Sequence, residues 1–276
     1  MRPWTMLAAA LFCLPACPLI AADLADGVPG HPGLTYQTLL KRIIPDLAPE
    51  GANGLTGHIG VPFRHIEGRQ AETDLPEQFS LYSLTVMRVP GDTGKIVLFA
   101  DLGPSRDIVS AFALLALFAL RPEVTLLDTV GVGADRFVSM RDGPPPMLAP
   151  GAPLIVIDST HHNSHQSYGS TALIFPRANR FTLLATISTL GESNCRERRV
   201  HEALVSTLPD AGPYRAVLAT VRETVTQPGP DCGNPRKPRS GITAHRALYR
   251  WDARRERFVT ASRALERLAA RNATRY

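Results

Sequence analysis

Along the middle of the chain, apolar residues come in short runs separated by polar breaks. Leu154-Ile155-Val156-Ile157 ends at Asp158, and a polar stretch fills 159–170. A second apolar run covers 171–175, and Pro176-Arg177-Ala178-Asn179-Arg180 turns the chain into a third, 181–190. Runs this short, rich in Val, Ile, Phe and Thr and bounded by Pro, Asn and Gly, predict strands of an antiparallel meander. In the third run Phe181, Leu183, Ala185 and Ile187 fall on one face, with Thr182, Thr186 and Ser188 on the other. That period of two is expected of a sheet with one wet side.

The pattern extends in both directions. Segments 61–66 and 79–89 read as strands, and Pro90-Gly91-Asp92-Thr93-Gly94 is a hairpin turn into 95–102. Segment 108–120 is almost wholly apolar, so periodicity alone fits a buried helix or a buried strand. Its Ala and Leu content favours helix. The turn Arg121-Pro122-Glu123 and the strand expected at 124–132 favour strand, which is the reading adopted. Strands are also expected at 136–140, 214–226, 242–251 and 258–261. Between them, 191–212 is charged and irregular, with a helical turn expected at 197–204. Thr35 can cap a short helix in which Tyr36, Leu39, Leu40, Ile43 and Ile44 share a face before Pro45 stops it. Ser262 can cap a last helix with Leu265, Leu268 and Ala269 inward. The expected fold is therefore mainly β (α+β): antiparallel meander sheets, sandwich- or barrel-like, with a short helix near each end. No repeat of fixed period interrupts this picture.

The N-terminus changes where such a fold would live. Arg2, an apolar stretch from 6 to 20, and Ala21-Ala22 before Asp23 follow the charged, apolar, small-residue order of a signal peptide. Cleavage is expected near Ala22, so 1–22 is read as leader and 23–276 as a single β-rich domain. The Gly143-Pro144-Pro145-Pro146 breaker marks an internal loop boundary near 141–151. A rival reading is a lipoprotein signal, with Leu14-Pro15-Ala16 before Cys17. Pro15 and the apolar 18–22 after the cysteine weigh against it. The apolar part is short for a membrane span, and no later stretch is long and apolar enough for one. The expected location is the periplasm or the medium, with no transmembrane segment in the mature chain.

Removing 1–22 from the 276 residues leaves 254 and only two cysteines, Cys195 and Cys232. In an oxidising compartment the simplest reading is one disulfide. It would close a loop of about 37 residues, worth roughly 3 to 4 kcal/mol in the chain-entropy picture. Two buried thiols are the alternative.

Charge is uneven. Residues 236–276 hold twelve Lys/Arg against three Asp/Glu, a balance of +9, whereas 23–235 hold 17 against 22, a balance of −5. The basic segment either docks on the acidic body or meets an anionic envelope polymer. Nucleic acid is disfavoured, because no DNA- or RNA-binding motif accompanies the charge.

Candidate chemistry concentrates in the polar stretch after Ile157. Asp158, His161, His162 and His165 place four possible ligands for zinc or copper within eight residues. The spacing is no recognised ligand pattern, and an ordinary hydrogen-bonded loop explains the same residues. If the strand continued through His162, His161 and His162 would point to opposite sides. There is no Gly-x-Ser-x-Gly elbow, no Ser-x-x-Lys and no phosphate-cradling glycine loop. Asp101 and Asp107 flank a turn, where aspartate is common anyway. No catalytic or cofactor-binding residue is assigned. The sequence thus points to an exported envelope protein with a non-catalytic binding or structural role and weighs against an enzyme. The alternative is a periplasmic enzyme or metal binder using the histidine stretch.

Overall fold

The computed structural model describes residues 19–50, 54–68, 78–104, 111–133, 135–195, 197–227 and 240–275. The first half forms β1 (Ile20–Ala21), α1 (Tyr36–Leu40), β2 (Ala48–Glu50), β3 (Gly54–Thr56), β4 (Arg64–His65), β5 (Ser83–Arg88), β6 (Lys95–Pro104), β7 (Ala111–Ala119) and β8 (Thr125–Gly133). The second half forms β9 (Phe137–Met140), β10 (Met147–Ala149), β11 (Ala152–Pro153), β12 (Ile155–His162), β13 (Gln166–Arg177), β14 (Arg180–Ser193), β15 (Arg198–Leu208), β16 (Ala216–Thr226), β17 (Gly241–Asp252), β18 (Arg257–Val259) and α2 (Ala264–Ala273). The architecture is mainly β, with antiparallel sheets and a short helix toward each end. No helix among the described residues is long and apolar enough to cross a membrane.

A first sheet runs β1-β5-β6-β7-β8-β4, antiparallel except for the two-residue parallel pair β4–β8. It is buried on both faces. In β6, Ile96, Leu98 and Ala100 join a core under α1, while Val97 and Phe99 join a second core beneath the other sheet. In β7, Leu114, Ala116 and Phe118 go one way, and Ala113, Leu115 and Leu117 the other. Two buried faces are why this stretch shows no alternation, and they make it a strand despite its helix-forming composition. Thr35 caps α1 by accepting a hydrogen bond from the Thr38 N–H (3.2 Å).

The second sheet runs β18-β17-β16-β15-β14-β13-β12-β9. Its β9–β14 part lies against the first sheet through Ile155, Ile157, Ile174 and Phe181. The core they share with Met87, Phe99 and Leu115 draws on residues both before and after the Gly143–Pro146 breaker, which is a surface loop. Asp128 of β8 stitches the layers together, accepting hydrogen bonds from the Phe181 N–H and from Arg64 (2.7 Å each). The opposite face of β12–β14 carries Val156, Leu173, Phe175 and Ile187. Strands β16 and β18 and helix α2 cover it with Val217, Ala219, Val221, Phe258 and Leu268. Residues 19–22, the end of the expected leader, belong to the first sheet: Ile20 and Ala21 pair with Val86 and Thr85 on the edge of β5.

Several expectations are corrected. The polar stretch 159–170 is not a loop: β12 runs to His162 and β13 begins at Gln166, leaving a turn of three residues. The stretch 197–204 is not helical, because β15 crosses it as a strand paired along its whole length with β16. The stripe read in the third run is split. A bulge opposite Leu173 and Ile174 sends Phe181 and Leu183 into one core and Ala185 and Ile187 into the other. Arg263, not Ser262, is the N-cap residue of α2. The small β10–β11 hairpin was not expected.

Candidate functional site

Cross-strand partners share a face of a sheet, and so do alternate residues along a strand. Asp158 lies opposite Ser139 and Thr171, Thr160 opposite Phe137 and Gly169, and His162 opposite Ser167. These residues therefore occupy one face, and Ser159 and His161 the other. His161 Nδ1 is 2.9 Å from Asp135 Oδ1, and the Asp135 N–H donates to Ser159 Oγ (2.7 Å). The His162 ring stands 6.3 Å from that of Phe137. His165 is exposed in the turn, where Asn163 Oδ1 accepts from the N–H groups of His165 (3.1 Å) and Gln166 (2.8 Å). The four candidate ligands are thus divided between two faces and a turn. Among the described residues, no three His, Cys, Asp or Glu side chains are grouped to hold a metal ion.

Asp158 is committed elsewhere. Arg141 clamps it with two hydrogen bonds, Nε to Oδ2 and Nη2 to Oδ1 (2.7 Å each), and Thr171 Oγ1 donates to Oδ1 (2.6 Å). A bidentate pair of this kind fixes both side chains. It forms one wall of a cleft of about 360 Å3, to which Thr160, Thr189 and the β15 residues Glu202 and Leu204 also contribute. Gly169 lines it as well, and a Cβ there would lie 2.3 Å from Thr189 Oγ1. Phe137 stands on the same sheet face as Thr160 and is 55% exposed, with the Arg136 guanidinium 5.8 Å from its ring centre. Glu202 is held by Arg222 on the neighbouring strand.

A second concentration of charge lies under α2. Glu223 of β16 is only 4% exposed and receives Arg199 of β15, His245 of β17 (2.9 Å) and Arg271 of α2 (2.7 Å). The His201 side chain is fully buried beside it, 3.7 Å from the carboxylate. Its Nδ1 accepts the Leu190 N–H (3.2 Å), so the ring proton sits on Nε2 and the ring is neutral. Burial, reinforced by Arg199 and Arg271, pulls its pKa down to about 4. Burial also lowers His245, with Arg271 adding to it. Burial pushes the Glu197 carboxyl up, but Arg199 and Arg275 outweigh it and hold it below its ordinary value. Arg275 bonds Glu192 (2.5 Å) as well. Arg250, Arg271 and Arg275 thus fold back onto Asp210, Glu223, Glu192 and Glu197, so three of the twelve basic side chains of 236–276 pair with carboxylates of the acidic body. Through Oε2, which His245 and Arg271 share, Glu223 anchors α2 to the sheet.

Asp101 makes no carboxylate pair in the described residues: its Oδ1 accepts the Gly103 N–H (2.9 Å), burial raises its pKa, and Asp107 lies outside them. Cys195, in the turn between β14 and β15, is not a free thiol. Cys232 lies outside the described residues, so the pairing of the two is a proposal. The sequence reading missed Arg141, Phe137 and the Glu223 cluster. The signal for the last was the charged interruption of the β15 pattern, where Arg199 and His201 occupy inward positions. Comparison with protein-family models, with curated proteins and with solved structures finds no match to this chain.

Proposed function

We propose that this is an exported, non-catalytic binding protein and that the cleft beside Phe137 takes a neutral saccharide. The observation that carries the reading is one sheet face that holds a hydroxyl-bearing cleft with internally paired charges and, as the cross-strand partner of the cleft's Thr160, an exposed aromatic ring. A sugar ring offers an apolar C–H face to an aromatic and a rim of hydroxyls to fixed donors and acceptors, and small-ligand sites are built from such a mixture. Arg141 is balanced by Asp158 and Glu202 by Arg222. That balance favours a neutral ligand over the anionic polymer expected from composition. It also favours binding over hydrolysis, since general acid–base work needs a carboxyl free to exchange its proton. Export rests on the order of residues 1–22 and on the lone cysteine pair after them.

Calorimetric titration with a panel of neutral oligosaccharides tests this. At least one should bind without being cleaved, and Phe137→Ala should weaken it about tenfold, the loss of roughly 1.4 kcal/mol of stacking. His161→Ala, on the opposite face, should leave affinity unchanged. No binding across the panel, or Phe137→Ala binding like wild type, overturns the reading.

A further inference from the structure

The geometry points to a second copy of this chain as the partner of β15, joined edge to edge about a two-fold axis at Leu204. Strand β15 is paired with β16 over all eleven residues, but with β14 only through Glu192–Arg199 and Ser193–Arg198. From Val200 onward its other edge has no strand beside it among the described residues. The Asn194 N–H bonds the Glu197 carbonyl (3.1 Å), so the next hydrogen-bonded pair, two residues on, is Glu192–Arg199. By the same alternation, His201, Ala203, Val205 and Thr207 turn their N–H and C=O groups toward the open edge. The burial of His201 agrees. Its side chain is 0% exposed while the residue as a whole is partly exposed, so its solvent contact is main chain. An open edge of this kind is a template for another strand.

The side chains select which strand and in which register. The outward positions of β15 are Arg198, Val200, Glu202, Leu204, Ser206 and Leu208. Val200, Leu204 and Leu208 are 44%, 40% and 40% exposed, high for large apolar residues. Antiparallel self-pairing requires the edge-facing residues to bond one another, which leaves a few registers. Pairing Glu202 with its own copy sets like charges face to face. Centring on Ala203 sets Glu202 against Leu204. Centring on Ser206 sets Glu202 against Asp210. Centring on Leu204 pairs Leu204 with Leu204, Val200 with Leu208, and Glu202 with Ser206. The pairing stops there, because β14 already lies beside Arg198 and Arg199. Of these registers, that one alone sets all three apolar side chains against one another and leaves Glu202 opposite neither a carboxylate nor an apolar residue. A two-fold interface is self-complementary in this sense. The inference does not rest on the saccharide reading: Glu202 and Leu204 border the cleft, so a paired β15 covers that side of it and the dimer is tested without saccharide.

A contact of one strand pair is small, so a weak dimer is expected, seen by sedimentation of the mature protein between about 1 and about 200 µM. Leu204→Glu, which sets two carboxylates face to face, should abolish the dimer with circular dichroism unchanged. Leu204→Cys should cross-link to itself on mild oxidation, because Cα atoms in a non-hydrogen-bonded antiparallel pair lie about 4.5 Å apart. Ser206→Cys should not. A monomer at every concentration, a dimer indifferent to Leu204→Glu, or self-cross-linking at Ser206 rather than Leu204 overturns the proposal. So does a monomer whose β15 amides gain exchange protection only from an added extended peptide.

Discussion

Protonating His201 would place a cation in a fully buried site already flanked by Arg199, Arg271, His245 and Arg275, with only Glu223 to offset them. The folded state therefore resists the proton that the unfolded chain accepts near pH 6.5. A histidine with its pKa lowered to about 4 contributes stability that is complete above about 6.5 and is lost as pH falls toward 4. The loss is on the order of 2–3 kcal/mol at about 1.4 kcal/mol per pKa unit. Glu197, held below its ordinary value, also loses stability in acid, but below the carboxylate range rather than above it. The melting temperature should therefore drop between pH 7 and pH 4.5, and His201→Gln should flatten that slope even if it melts lower at pH 7. Parallel slopes for the two proteins would show that another group is responsible.

Elements show the same interplay of local chemistry and context. The sequence places the β13–β14 turn within Pro176–Arg180, and its two central residues, Ala178 and Asn179, adopt φ above zero, 48° and 62°. A two-residue hairpin of this hand favours Asn-Gly, and Ala in the left-handed region costs about 1–2 kcal/mol. Ala178→Asn with Asn179→Gly should raise the urea midpoint by an amount equal to about 0.5–1 kcal/mol at unchanged m value. A lower midpoint would mean that Asn179 makes a contact the turn rule ignores. Strand β15 is the opposite case. Its interior side carries Arg199 and His201 and its exterior Val200, Leu204 and Leu208, so its polarity pattern is reversed where the core contains Glu223. No local rule recognises such a strand until the carboxylate it faces is known. The β14 bulge is equally opaque to sequence, because one inserted residue moves Ala185 and Ile187 to the other face.

At the scale of the whole molecule, export and the disulfide are the next tests. Mass spectrometry of envelope-extracted protein should find an N-terminus near Asp23 and a Cys195–Cys232 link. A lipid on Cys17 refutes the first, and two free thiols refute the second. Among the described residues, cleavage at Ala22 would remove β1 from the edge of β5 together with Leu19 and Ala22, which pack at the margins of the two cores, from a sheet whose centre is buried on both faces. The residues by themselves determined the β class, the hairpin turns, the strand nature of 111–119 from its neighbours, and the cap at Thr35. Each of these depends on chain neighbours a few residues apart, where period and turn chemistry act directly. The tertiary structure decided which face each side chain meets. It parted His161 from His162, tied Asp158 to Arg141, and gathered Arg199, Glu223, His245 and Arg271 from two strands, a third strand and a helix. Those contacts join residues tens of positions apart, and their energies come from burial and pairing that no local pattern encodes.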